Sequence, residues 1–361
     1  MTELWTIEMH MDVENIQDRA RQVERAGWAG MQLTDSQNRS PETYVALTAA
    51  ALATERIRLG LGVTNPVTRH PALAAAAAST IQRLSGGRMT MTIGRGDSAA
   101  AHIAAAPMKV QGFGRYLDVL SRYLEGAAVP FEDLDGLTMT SVPPISALGL
   151  AGEPRGSSLE WLRPEDSPVP LEVVGSGPKV LALAVRNGNR PMLAVGAVPE
   201  RISWGVELVR EERRKAGVDV DAPIGAYVNA VAHADPAVAR RLIKAVLPST
   251  TRFSVMHGKV NGPTDAKTEA VLHAVHNAYD MKGHGTLGSA QSNQLTEEFL
   301  TTYGIAGTAE HVRQRLAGLA ELGIDKFVFF PRGRAIDPGE ADRAWEVMVN
   351  DVLPAFGTVG A

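Results

Sequence analysis

Along the first 125 or so residues, short runs of strand-like apolar positions alternate with longer stretches of helical spacing, which predicts βα units and a parallel sheet. Residues 4–9 read as a strand. Residues 13–26 follow as a helix, with Val13, Ile16, Ala20, Val23 and Ala26 recurring every three or four positions and Gly27 as the stop. The pattern continues with a strand at 30–34, a helix at 41–54 with Pro41 in its first turn, a strand at 57–63, a helix at 71–84 closed by Gly86 and Gly87, and a strand at 89–93. Residues 130–170 break it: they are rich in Pro and Gly and read as a long irregular insertion with a hairpin around 137–142. Alternation then resumes with a strand at 171–174, a helix at 178–185, a strand at 192–195, a charged helix at 199–216 and a strand near 224–231. A second irregular segment, 248–294, carries one helix at 265–281. The end reads as helix 309–322, strand 326–330 and helix 338–353. Eight strands in an α/β alternation are the number that closes a (β/α)8 TIM barrel. An open doubly wound sheet is the alternative, but evenly paced units without a break in composition favour closure and one domain over residues 1–361.

Composition narrows the chemistry. The chain has 361 residues, 36 Lys and Arg against 40 Asp and Glu, a net charge of -4, and 45% apolar residues, as in a folded globular protein. Aromatic residues are only 5%, so Ala, Val, Leu and Ile must fill the core. The absence of cysteine excludes disulfides, thiolate nucleophiles, Cys-ligated zinc and iron–sulfur clusters. No basic block suggests nucleic acid, and no apolar run approaches the roughly 20 residues that span a bilayer. The opening MTELWTIEMHMDVEN lacks a basic region followed by an apolar one, so a cytoplasmic protein acting on a small-molecule substrate is expected.

In a βα barrel the chemistry collects at the C-terminal ends of the strands. Those ends read Glu8-Met9-His10, Asp35-Ser36, Gly62-Val63-Thr64-Asn65-Pro66, Gly94-Arg95-Gly96-Asp97, Gly175-Ser176-Gly177-Pro178, Gly196-Ala197 and Pro331-Arg332. Carboxylates and glycines therefore converge on one rim, as a preformed pocket requires. The Gly175–Pro178 turn is equally a phosphate cradle at a helix start or a tight turn needing glycine dihedrals. Gly196-Ala197, ahead of another helix start, supplies a neighbouring N-terminus. Residues 94–99 match G-x-G-x-x-A, but the dinucleotide fingerprint belongs to a first strand running directly into a helix, and the next helical pattern begins only near Gly112. Glu269, His273 and His276 share a helix face like half a metal site, yet no third ligand converges, so no metal is expected. Arg332 is a candidate for a substrate or cofactor anion, or a solvated loop arginine.

The run LGLGVTNPVTRHPALAAAAASTIQRLSGGRMTMTIGRGDSA, followed by VPLEVVGSGPKVLALA and GIAGTAEHVRQRLAGLAELGIDKFVFF, resembles the bacterial-luciferase-like superfamily of flavin and deazaflavin oxidoreductases. Within it the chain is most similar to the coenzyme F420 branch, especially methylenetetrahydromethanopterin-reductase-like members. The resemblance implies a (β/α)8 barrel with insertions, a homodimer, and F420 as cofactor. It implies that Glu8 and Asp97 lie beside the reacting carbon and that Asp35 contacts the deazaflavin, with Thr64, Asn65, Gly94 and Gly96 also lining the cofactor site. A non-prolyl cis peptide behind the ring would fall at Gly62-Val63, and the tail phosphate would meet Gly175, Ser176, Gly177, Gly196 and Ala197. The His that follows the acid of the second strand in some relatives is replaced by Ser36, which counts against a sugar-phosphate or alcohol dehydrogenase of that type; His10 is the remaining candidate imidazole. The implied reaction is hydride transfer to a C=N, C=C or C=O bond, with Glu8 and Asp97, on adjacent strand ends, as a proton-donating pair held by burial. The alternatives are an FMN-dependent monooxygenase and a non-catalytic flavin- or deazaflavin-binding protein.

Overall fold

The computed structural model describes residues 2–9, 11–137, 142–152, 154, 156–330 and 332–357. Eight strands, β1 (Glu3–Glu8), β2 (Gly30–Leu33), β3 (Arg58–Leu61), β4 (Met89–Ile93), β5 (Leu171–Gly175), β6 (Arg190–Leu193), β7 (Gly225–Val228) and β8 (Lys326–Phe329), close into a barrel in sequence order, every neighbouring pair parallel. The eight-stranded closure predicted from the alternation is therefore observed. Helices α1 (Ile16–Arg25), α2 (Thr43–Ala53), α3 (Pro71–Leu84), α4 (Ser98–Ala101), α5 (Val110–Leu124), α6 (Pro178–Arg186), α7 (Pro199–Ala216), α8 (Pro236–Thr251), α9 (Ala266–Asn277), α10 (Glu297–Thr302), α11 (Ala309–Glu321) and α12 (Pro338–Val347) follow the strands in turn.

Several boundaries carry their cause in the sequence. Pro71, Pro178, Pro199, Pro236 and Pro338 each open a helix, where the missing N–H has no partner to lose. Asp235, Asp265 and Asp337 cap α8, α9 and α12 through side-chain oxygens. Pro41, by contrast, lies before α2, which Glu42 caps by accepting from the Val45 amide at 2.9 Å. The Ser85-Gly86-Gly87-Arg88 turn lies before β4, away from the rim: the Arg88 guanidinium donates to the carbonyls of Ala51, Thr54, Ile57 and Ser85, closing the end of α2.

The structure departs from the predicted elements in several places, the short α10 among them, which no predicted element anticipates. The strand expected over 224–231 is split: β7 stays in the barrel, while Ala230–Ala232 leaves it to pair in parallel with Ile305–Gly307. Helix α8 has no counterpart among the predicted elements, although Asp235-Pro236 and the spacing of Val238, Leu242 and Val246 carry its signal; its end enters the segment expected to be irregular, with Pro248 inside the helix. The four-residue α4 begins directly after Asp97, ahead of the helix expected near Gly112. The final helix gives way after Val347 to a π-helical and then a 3-10 turn. The first insertion contributes an antiparallel pair, Val129–Pro130 with Gly156–Ser157, and the hairpin expected around 137–142 falls largely outside the described residues.

Strand alternation sorts the side chains into two environments. Leu33, Leu59, Met91, Val173 and Phe327 face outward into the layer shared with the helices. The interior is polar and tightly fitted: Trp5 lies against Gly30 and Gly60, and Lys326 Nζ sits 3.5 Å from its ring centroid. Lys326, fully buried, donates to both oxygens of Glu172 at 2.7 and 2.9 Å. Thr92 donates to Glu172 at 2.8 Å, Gln32 to Thr92 at 3.0 Å, and Tyr227 to Gln32 at 2.5 Å. Burial pulls the Lys326 ammonium down to about 8, against the attraction of Glu172. Removing one partner of such a pair strands the other charge. Glu172→Leu is expected to cost about 3–5 kcal/mol in urea unfolding, and the Glu172→Leu/Lys326→Met double variant to recover most of it. An unchanged midpoint in the single variant would contradict this account.

Candidate active site

At the C-terminal ends of the strands the barrel opens into a cavity of about 600 Å³. Met9, Thr34, Asp35, Gly62–Asn65, Gly94–Ala99, Gly175–Val180 and Tyr227 line it, with Phe253, Met256, His257 and Asn261 arriving from the second insertion. The peptide bond between Gly62 and Val63 is cis. Gly62 has no room for a side chain, because a Cβ there would lie 2.6 Å from Ile7 Cδ1 and 2.7 Å from Gln32 Cβ.

On one wall Asp35, 3% exposed, accepts from Thr64 Oγ1 at 2.6 Å and Gln37 Nε2 at 2.8 Å, with Arg69 Nε at 3.8 Å. Burial raises its pKa although Thr64 and Arg69 pull the other way. Asn65 Oδ1 accepts from the Val67 and Thr68 amides, which fixes the turn and leaves Asn65 Nδ2 buried without a hydrogen-bond partner among the described residues. Ser36 Oγ is likewise a buried hydroxyl without a hydrogen-bond partner among the described residues.

Beyond Asn65, at the end of β4, Asp97 follows a left-handed Gly96 and places Oδ1 2.6 Å from Arg252 Nη2, while Oδ2 is buried and has no hydrogen-bond partner among the described residues. Burial raises the Asp97 pKa, and Arg252 opposes the rise. Arg252 lies over the Tyr279 ring at 4.4 Å, and the Tyr279 hydroxyl meets His284 Nδ1 at 2.6 Å. Arg39 donates to the carbonyls of Met281 and His284, and buried Arg201 to those of Val195, Asn261 and Pro263. These guanidinium forks hold the second insertion across the cavity mouth.

At the third side, α6 starts at Pro178 with Gly177 as a cap that makes no side-chain hydrogen bond. Lys179 and Lys109 stand at this side of the cavity, and neither forms an ion pair among the described residues. A helix N-terminus and two such lysines favour an anion.

The model of the luciferase-like monooxygenase family matches residues 2–326. The chain belongs to that family. This luciferase-like protein is 26% identical to a 5,10-methylenetetrahydromethanopterin reductase of Archaeoglobus fulgidus over 338 residues, 92% of each chain. It is 34% identical over 151 residues to an F420-dependent glucose-6-phosphate dehydrogenase of Beutenbergia cavernae, covering 42% of this chain and 41% of that one. Its fold matches that of the coenzyme F420 dependent tetrahydromethanopterin reductase from Methanopyrus kandleri with a TM-score of 0.72, at 22% identity and 99% coverage of both chains.

Not every candidate residue of this luciferase-like protein reaches the cavity. Glu8 shares the strand face of Leu4, not that of Ile7 and Met9, so it turns outward and pairs with Arg19 of α1 at 2.6 Å. Its strand is also separated from β4 by β2 and β3, so Glu8 and Asp97 are not on adjacent strand ends and do not form a pair. Arg332 pairs with Asp342 of α12, away from the cavity. Gly196 and Ala197 are covered by Tyr303, whose carbonyl already takes the Ala197 amide at 2.8 Å; a Cβ on Gly196 would lie 2.5 Å from that ring. Ser176 donates its hydroxyl to the Phe253 carbonyl at 2.6 Å, so it tethers the insertion. His10 lies outside the described residues. Arg252 and Tyr279 carried no signal in sequence, because only the folded second insertion brings them to the rim; Lys179 directly follows the Gly175–Pro178 turn, and Lys109 precedes α5. Among the described residues no three His, Asp or Glu converge as metal ligands, and no helix is long and apolar enough to cross a membrane. Ser176→Ala removes one tether: hydrogen exchange over residues 252–263 is expected to speed up severalfold, corresponding to about 1 kcal/mol. Unchanged exchange there would mean that Arg201 alone holds the segment.

Proposed function

We propose that this chain is an F420-dependent oxidoreductase that carries out hydride transfer to a C=N, C=C or C=O bond of a small organic substrate, with Asp97 as proton donor. One observation carries the role of Asp97: a buried carboxyl on the cavity wall holds one oxygen against Arg252 and leaves the other with no hydrogen-bond partner among the described residues. Burying an unpartnered charged oxygen costs more than burying a neutral one, and burial raises the Asp97 pKa against the pull of Arg252, which moves the balance toward the acid form. The relatives aligned over nine-tenths of the chain, named as methylenetetrahydromethanopterin reductases, support the reductive direction.

The residues present suit a flat, elongated, anionic cofactor. Val63, Val174 and Phe330 give an apolar wall, and a Cβ at Gly94 would stand 3.6 Å from Val63 and thicken it. Asp35, Thr64, Asn65 and Ser36 would hold the polar edge of the ring, the last two offering buried donors without partners. Gly177, Lys179 and Lys109 would take the anionic tail. When bound, reduced F420 supplies the hydride. The chain itself orients the substrate face, limits water through the second insertion, and holds a proton at Asp97.

Titration of the purified chain with F420 and with FMN, followed by absorbance and fluorescence, tests the cofactor; binding of FMN alone, with oxygen consumption, would replace this reading by a monooxygenase. Tight F420 binding without turnover across a broad panel of electrophiles would replace it by a binding protein. Asp97→Asn is expected to keep F420 affinity and to lower turnover by about 10²–10⁴-fold. Because the donor must be protonated, wild-type kcat/KM is expected to fall as pH rises through the raised Asp97 value.

The same reading includes a homodimer. Helix α2 is apolar on every side, yet Val45 and Leu52 are 64% and 66% exposed, and Leu73 and Leu84 of neighbouring α3 extend the patch. A second copy on this face would remove it from water. Light scattering of a Val45→Glu/Leu52→Glu variant is expected to give half the wild-type mass; an equal mass would place the contact elsewhere or exclude it.

A further inference from the structure

The second insertion does more than cover the cavity. Its residues Arg252, Tyr279 and His284 form a continuous chain of contacts that ends on Asp97: hydroxyl to imidazole at 2.6 Å, guanidinium over the phenol ring at 4.4 Å, guanidinium to carboxyl at 2.6 Å. Arg252 also points Nη1 at the Met281 sulfur, 3.5 Å away, and Arg39 fixes the carbonyls of Met281 and His284 from the strand-2 side. The guanidinium is thus held from several directions in one orientation.

We propose that Arg252 is a positioning residue that determines which oxygen of Asp97 carries the proton. An arginine has only donors and stays charged, so the oxygen it faces must remain an acceptor. That oxygen is Oδ1. The proton of the neutral acid therefore resides on Oδ2, which has no hydrogen-bond partner among the described residues. The proposal rests on the reading of Asp97 as proton donor, but its geometry belongs to the chain alone.

Among the described residues the charged and titratable groups around Asp97 are few. Arg252 touches it, and Tyr279, raised to about 12 by burial, stands behind Arg252 with His284 and Arg39. Arg95, its near neighbour in the chain, is turned to the Met108 carbonyl at 2.6 Å. Lys109, Lys179, His257 and Asp35 line the same cavity. Loss of Arg252 removes the only cation in an ion pair with Asp97 among the described residues, so the carboxyl must become harder to ionise.

Carbon-13 carboxyl titration of aspartate-labelled protein without cofactor, with the Asp97 signal assigned by its absence in Asp97→Asn, tests the Arg252–Asp97 contact on which the assignment rests. Arg252→Met is expected to move the Asp97 transition to higher pH by about one to three units, and Arg252→Lys to leave it closer to wild type. With F420 and a turned-over substrate, the alkaline limb of kcat/KM should move the same way. A transition that stays in place or moves to lower pH in a folded Arg252→Met protein overturns the proposal. Should Arg252→Met not fold, Arg252→Gln takes its place, with the same rise expected and the same outcomes overturning the proposal. Full turnover by Asp97→Asn would instead remove the proton-donor reading, and the titration would still decide what Arg252 does to the carboxyl.

Discussion

The buried pair of Glu172 and Lys326 sets the terms for everything above it. An ion pair inside a barrel is affordable only when its remaining hydrogen-bonding capacity is met, and here Thr92, Gln32 and Tyr227 complete it in a connected column. The column reaches from the base of the barrel to the cavity floor, where Tyr227 stands. Trp5 fills the space beside it, and that is possible because Gly30 and Gly60 have no side chains to occupy it. The rim residues are thereby carried on a base in which polar atoms leave little freedom to shift.

Above that base, arginine is the main agent of order. Irregular segments have carbonyls that no ladder satisfies, and a planar guanidinium can take several at once. Arg88 does so at the end of α2, Arg201 along residues 254–263, and Arg39 at Met281 and His284. The low aromatic content of the chain fits this division: rings are few, and packing in the helical layer relies on aliphatic side chains and alanine.

The eight barrel strands were legible because apolar runs, glycine stops and proline starts all agreed, and α3, β4 and α7 lie where their patterns end. The site was legible in part. Asp35, Gly62, Val63, Thr64, Asn65, Gly94, Gly96 and Asp97 all follow their strands directly, so fold class alone brings them to the rim. Glu8 was misplaced because membership of a strand end does not say which face a residue takes, and one position decides between cavity and helix layer. Gly196-Ala197 reads as an open helix start, and nothing nearby in sequence announces that Tyr303, more than a hundred positions later, covers it.

What the sequence determined by itself was the barrel and the candidate rim, since both follow from local periodicity and from the rule that strand ends converge. What only the tertiary structure decided was which polar groups meet. Arg252 reaches Asp97 across 155 positions and Lys326 reaches Glu172 across 154, and no local pattern encodes either encounter. Such contacts depend on how distant segments pack, because a side chain's partners are chosen by the three-dimensional path of the chain and not by its neighbours in sequence.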